Sequence, residues 1–150
     1  MEAPVAGNIG CVSHRIFIQT SRPRDFIDIT NEVESAIRAS GVRDGMALIS
    51  SQHTTAAVIV NEHEPELLKD LDSLLTRLAP SDHPYAHNAA PCGPGENPNG
   101  HSHCQALLLS SSATLPISNG ELGLGRYQRL FLVELDNARP RTVVLTLLGQ

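Results

Sequence analysis

The chain has 150 residues, 41% of them hydrophobic, which suits a single domain at a working prior of roughly 150 residues per domain. Eleven basic against sixteen acidic residues give a formal charge of −5, and there are three Phe, two Tyr and no Trp. This balance excludes counterion-driven binding to a phosphate backbone and leaves little surface for stacking bases, so nucleic acid is not an expected partner.

Residues 1–150 are read as one domain, with 1–12 as a flexible lead-in. His14–Thr20 and Asp25–Ile29 are short β-like runs around the turn signal Ser21-Arg22-Pro23-Arg24, and together they predict an opening hairpin. Thr30 or Asn31 is placed to cap a helix in which Val33, Ala36 and Ile37 recur at helical spacing, with Gly41 as its stop. After the Asp44-Gly45 turn, Met46–Ser50 and Thr54–Val60 read as strands. The second is apolar on both sides and is expected deep in a sheet. Pro65–Leu78 is the strongest helix, with Pro65 in the first turn and an apolar stripe of Leu67, Leu68, Leu71, Leu74, Leu75 and Leu78.

From Ala79 to Gly100 five prolines and three glycines interrupt regular structure; a loop of this length inside a small domain points to function. Cys104–Leu109 reads as a short helix or strand, and Thr114–Ile117, Arg129–Leu135 and Thr142–Leu148 as strands. Strand runs with two main helices predict an α+β fold, a mostly antiparallel or mixed β-sheet sandwich. Gly120–Gly125 is glycine-containing but precedes a strand, so it is not a dinucleotide-binding turn.

The N-terminus has no basic stretch followed by an apolar one, and no run approaches the ~18 apolar residues of a spanning helix. Cys11, Cys92 and Cys104 form no CxxC and cannot all pair. A cytoplasmic protein with free thiols and no membrane partner is the expectation. For Cys104 a buried thiol without a catalytic role is expected.

Six of the seven histidines fall between positions 53 and 103: His53, His63, His83, His87, His101 and His103. Neutral imidazole is a common ligand for zinc and similar ions, and three such ligands leave a coordination position open. The alternative is that each is an ordinary hydrogen-bonded residue, because the spacing matches no local metal motif. Thr54 and Thr55 beside His53, Asn61-Glu62 at the far end of the same strand, and Asp70 on the leucine-rich helix are polar candidates. Arg139 and Arg141 flank Pro140; they read either as turn solubility or as a pair of guanidinium groups able to hold a phosphate.

His53-Thr54-Thr55-Ala56-Ala57, Asn61-Glu62, Asp70, Tyr85-Ala86-His87-Asn88, Asn99-Gly100-His101-Ser102-His103, Gly123–Gln128, Glu134-Leu135-Asp136 and Arg139-Pro140-Arg141 resemble, in order, the motifs of the YjbQ-like family, also described as secondary thiamine-phosphate synthases. The resemblance implies an α+β subunit that assembles as a homotrimer around a histidine-rich pocket. It implies a divalent metal ion, zinc or magnesium, on His53, His87 and His103. Glu62, Asp70 and Gln128 fall on catalytic polar positions, and Thr54, Asn61, Arg139 and Arg141 on positions facing a small phosphorylated ligand. The implied reaction joins a pyrimidine diphosphate to a thiazole phosphate with loss of diphosphate. The competing expectations are another metal-dependent reaction on a small phosphorylated substrate, and a trimeric metal- or anion-binding protein without turnover. The chain departs from the family pattern at Arg126-Tyr127, at Gln105, at Asn137-Ala138 and in the length of the loop 89–99.

Overall fold

Strict alternation of inward and outward residues sets the first sheet in the computed structural model, which describes residues 8–94 and 96–150. In β8 (Pro140–Gly149) Val143, Leu145 and Leu147 are fully buried while Thr142, Val144 and Thr146 are half-buried on the opposite face. β8 runs antiparallel to β1 (Gly10–Gln19) on one side and β3 (Gly45–Ser51) on the other. β5 (Ser112–Ser118) and the short β6 (Glu121–Leu122) extend the sheet, in the order β1-β8-β3-β5-β6.

A second antiparallel sheet has β7 (Gln128–Glu134) between β2 (Asp25–Asp28) and β4 (Ala56–Glu62). β7 is buried on both faces. Leu130 and Leu132 point into the space between the sheets, where they meet Ala56, Val58, Ile49, Leu145 and Leu147. Phe131 and Val133 point the other way, into a cluster with Leu75, Leu135, Leu68, Ala106 and Leu109. That second cluster is roofed by α2 (Pro65–Leu78) and α3 (Gly100–Leu109), and Val33 and Ile37 of α1 (Thr30–Ser40) join the core between the sheets. The fold is therefore α+β, with two antiparallel sheets and three α-helices among the described residues.

Local signals explain most boundaries. Gly41 ends α1 in the left-handed conformation, φ 77°, which glycine adopts without a Cβ penalty. The Glu64 carboxylate accepts the Glu66 and Leu67 amides at 2.9 and 2.7 Å, capping α2 ahead of Pro65. At the start of α1 the expected Thr30 cap is absent. Ile29 holds that position, Asp28 accepts the Thr30 amide, and the Thr30 hydroxyl instead accepts the Leu130 amide of β7 at 2.9 Å.

Several expectations are corrected. β1 and β2 are not a hairpin, because β1 pairs with β8 and β2 with β7 in different sheets. Of the expected lead-in 1–12, residues 10–12 already belong to β1, and residues 1–7 lie outside the described residues. β4 is covered on both faces over Ala56–Val58 but lies at a sheet edge, and the deep strand is β7. The segment around Cys104 is a third helix, α3, and its Cys104 thiol is exposed. Of the α2 stripe only Leu75 is fully buried, because the sheet beneath is three strands wide and leaves Leu74 and Leu78 exposed.

Leu132, fully buried between the sheets, is expected to cost about 2–5 kcal/mol when replaced by Ala. Urea unfolding of Leu132→Ala against the wild type measures this, and a loss under about 1 kcal/mol would contradict the assigned core.

Candidate functional site

Three connections converge at one end of the molecule: the turn between β3 and β4, the long loop with α3, and the turn between β7 and β8. The β3–β4 turn is clasped to the start of β8. The Gln52 amide donates to the Thr142 carbonyl at 3.1 Å, and the Thr142 amide donates to His53 Nε2 at 2.7 Å. A backbone N–H can only donate, so Nε2 is the unprotonated nitrogen and the neutral ring carries its proton on Nδ1. Burial pushes the His53 pKa down, with Arg141 and Arg139 adding to the effect and Glu134 opposing it.

His87 lies in a 3₁₀ turn (Ala86–Ala89) and His103 in α3. Their rings meet edge to face with centroids 4.8 Å apart. Burial, then the proximity of His87, lowers the pKa of His103, against the opposing charge of Asp136. His87 Nε2 contacts Asn99 Oδ1 at 3.2 Å, Asn99 Nδ2 donates to Asp136 Oδ2 at 3.1 Å, and Arg139 Nη2 donates to the same oxygen at 2.8 Å. This chain of partners assigns a tautomer. The ionised Asp136 only accepts, so the Asn99 amide nitrogen must face it; the Asn99 oxygen then faces His87, whose Nε2 must carry the proton. The His87 lone pair is left on Nδ1.

Beneath them Arg141 is almost completely buried. Its guanidinium grips the Glu134 carboxylate twice, with Nε to Oε2 at 2.6 Å and a second contact from Nη2 to Oε1, and also donates to Thr55 Oγ1 at 3.1 Å. Glu134 further accepts from the Thr20 hydroxyl at 3.0 Å and the Asp136 amide at 2.9 Å. The charge of Arg141 is thus matched inside the protein, whereas Arg139 is about one-third exposed. An incoming anion meets Arg139 first.

His53, His87, His103, Asn99, Arg139 and Arg141, with Gln52, Thr54, Thr55 and Glu96, line one cavity of about 420 Å³. A more apolar groove of about 380 Å³ adjoins it along Ala56, Ala106 and Leu107 and shares His53, Thr54 and His103. The expected histidine trio, both arginines and Thr54 are therefore brought together. Asn61, Glu62, Gln128 and Asp70 are not. Asn61 and Glu62 lie at the far end of β4, where Glu62 pairs with Gln128 of β7, about 20 Å along the strand at ~3.3 Å per residue. Asp70 is exposed on α2.

Sequence reasoning missed Asn99, Glu134 and Asp136 as members of the site. Glu134 and Asp136 follow an apolar run, where a carboxylate needs a buried partner; Asn99 directly precedes the glycine that opens α3. Those were the available signals.

Among the described residues no group of three His, Cys, Asp or Glu side chains is arranged to hold a metal ion. The donor chemistry gives the reason: the His53 lone pair is occupied by the Thr142 amide. In this geometry the trio does not fit a three-histidine metal centre.

Asn99→Ala removes the acceptor that fixes His87. In ¹⁵N-edited imidazole spectra at a pH high enough to deprotonate the ring, wild-type His87 is expected in the Nε2–H form, shifting to a mixture in the variant. A wild-type His87 in the Nδ1–H form would overturn the assignment.

The family model for the UPF0047 protein YjbQ-like group matches residues 14–150. A UPF0047 protein of Methanothermobacter thermautotrophicus is 38% identical over 133 residues, covering 89% of each chain. The UPF0047 protein YugU of Bacillus subtilis is 30% identical over 133 residues, covering 88% of this chain and 96% of that one. Among solved structures, a protein of unknown function from Sulfolobus solfataricus superposes with a TM-score of 0.89 at 31% identity, covering 95% of this chain and all of the other. A family member from Clostridium acetobutylicum superposes with a TM-score of 0.81 at 36% identity, covering 89% and 98%. Match length, identity and fold agree: the chain belongs to the UPF0047, YjbQ-like family.

Proposed function

We propose that the chain is an enzyme acting on a small phosphorylated substrate in the 420 Å³ cavity, with thiamine phosphate formation as the reaction to test. The observation that carries this reading is the convergence of three imidazoles, those of His53, His87 and His103, with one accessible arginine, Arg139, over a buried, charge-matched Arg141. In that reaction the bond from the pyrimidine's methylene carbon to the diphosphate oxygen breaks, the thiazole nitrogen supplies the electron pair of the new C–N bond, and diphosphate leaves. The demands on the protein are positioning and neutralisation of the leaving group. Arg139 faces that charge, and His53, through Nδ1–H, is a donor for it. His87 offers Nδ1 as an acceptor.

A second reading has support in the same contacts. The edge-on His87/His103 pair and the His87 Nδ1 lone pair suit binding of a divalent ion, zinc or magnesium, and His53 joins such a set only by releasing Thr142. In this reading the protein binds metal or anion without turnover. One experiment separates the two. Purified protein, supplied with zinc or magnesium, is assayed for thiamine phosphate and analysed for bound metal, beside His53→Ala, His87→Ala and Arg139→Ala. The enzyme reading expects product formation that falls about a hundredfold in Arg139→Ala, the scale of losing one charge-stabilising donor. Product no higher than in His53→Ala overturns it. Metal retained by the wild type and lost in His87→Ala, without product, supports the binder; near-zero metal in both overturns the metal.

The homotrimer belongs to the same proposal. It is supported by the outer face of the five-stranded sheet, where Phe17 is 76% exposed at one end, across from Thr142, and Met46, Leu48 and Leu148 are exposed toward the other end, apolar surface of the kind that an interface covers. Sedimentation equilibrium is expected to give the mass of three chains and a smaller species for Phe17→Glu; a wild-type monomer overturns it. Among the described residues no helix is long and apolar enough to cross a membrane. The cytoplasmic reading is supported by Cys11, Cys92 and Cys104, all free and exposed.

A further inference from the structure

A second cavity, also about 420 Å³, lies between β2 and α2 and shares no lining residue with the first. Its floor is apolar, from Phe26 and Leu68, and its rim carries Arg22, Arg24 and Lys69. Asp72 is the one carboxylate among the lining residues, so the lining carries three positive charges against one negative. Two further carboxylates, Asp25 and Glu66, stand just outside the lining beside Arg22 and Lys69.

The backbone is bent to make it. Arg24 has φ 54°, the left-handed region that a non-glycine residue occupies at a cost, and such residues concentrate at functional sites. The bend lays the Arg24 side chain across α2. There Nη1 donates to the Asp72 carbonyl at 3.1 Å and to Thr76 Oγ1 at 2.8 Å, while Nε lies 3.0 Å from the Asp72 carboxylate. Nη2 has no partner among the described residues. Lys69 is tethered only by an exposed pair to Glu66 at 2.7 Å, a kind that is weak and readily exchanged, and Arg22, itself exposed, pairs with the largely buried Asp25 at 3.2 Å.

His63 completes the wall, and its orientation is fixed from behind. Its Nδ1 lies 2.9 Å from Asp28 Oδ2, an oxygen that also accepts from Arg129 Nε at 2.7 Å, and its ring stands edge-on to Phe131. Burial raises the Asp28 pKa, but hydrogen bonds from Arg129, Thr30 and His63 outweigh it and hold the carboxyl well below the usual range. The ionised Asp28 therefore takes the Nδ1 proton's hydrogen bond, and Nε2 is the nitrogen left for a ligand. The carboxylate's own charge is matched by Arg129 and does not offset the cations of the cavity.

We propose that this cavity is a second ligand site, for a phosphate monoester with an aryl or alkyl body: the rim donors of Arg22, Arg24 and Lys69, with His63 Nε2, face the phosphate, and the Phe26/Leu68 floor takes the body. A carboxylate of the same shape carries half the charge and binds less tightly. The site is independent of the first cavity and of the activity proposed for it.

The test is a titration of the ¹⁵N-labelled full chain with phenyl phosphate, followed by amide shifts, in the wild type, in His103→Ala and in the double variant Arg22→Ala/Lys69→Ala. Arg22 and Lys69 side chains are 71% and 70% exposed, so the double variant keeps its core contacts. Saturable shifts at residues 22–26 and 63–69 are expected, unchanged in His103→Ala and weakened at least tenfold in the double variant. Inorganic phosphate is expected to bind there more weakly than phenyl phosphate. Absence of saturable shifts in these segments, their loss in His103→Ala, or equal affinity in the double variant would each overturn the second site. Equal affinity for inorganic phosphate would overturn the assigned ligand class.

Discussion

The ion pair between Arg141 and Glu134 is the contact on which the functional end of the molecule depends. Arg141 opens β8 in the five-stranded sheet and Glu134 ends β7 in the three-stranded one, so the pair fastens one sheet to the other where they would otherwise splay. Both side chains are buried, and two ions taken out of water are favourable together only if every remaining donor and acceptor is satisfied. Here Thr55, Thr20 and the Asp136 amide do that. Loss of either partner strands a charge in the interior, which costs about 3–5 kcal/mol in comparable cases. The pair also pins both ends of the β7–β8 turn, and that turn carries Arg139 and Asp136.

From that anchor the site is assembled by short polar links rather than by apolar packing. Asp136 reads outward to Arg139 and Asn99, and Asn99 reads on to His87. His53 is set separately, by a main-chain amide of β8. His87 and His53 thus have their protons assigned by neighbours with fixed chemistry, a carboxylate through an amide in the first case and a peptide N–H in the second. Contacts of this sort decide which nitrogen of an imidazole is a donor and which an acceptor. They also separate the three histidines chemically, although composition alone presents them as equivalent.

The elements with strong local signals were legible in the sequence. Pro65–Leu78 is found at the predicted residues because Pro65 and the leucine repeat are both local features, and Gly41 ends α1 as its conformational freedom allows. Sheet partners were not legible: β1 and β2 follow one another across a turn signal, yet their apolar faces are satisfied by β8 and β7 more than one hundred residues away, and no local rule encodes that choice. The same limit governs the site. His53, His87, His103 and Arg139 stood out by residue type and motif order. The division of roles between the two arginines did not, because it depends on Glu134 lying beneath one of them. Asn61, Glu62, Gln128 and Asp70 share the motif order but not the cavity.

The long loop is shorter, mechanically, than its sequence. The Tyr85 hydroxyl donates to the Pro80 carbonyl, the Gly100 amide donates to Asn88 Oδ1 at 2.9 Å, and His87 meets Asn99. A Cβ at Gly100 would come within 2.5 Å of Tyr85 Cβ, so the two ends of the segment touch with no room for a larger residue. The chain between Asn88 and Asn99 is consequently a loop closed at its neck, and its length is uncoupled from the position of His87. Homologous chains can lengthen, shorten or recompose that stretch, redrawing the rim of the cavity while the imidazole beneath stays where it is.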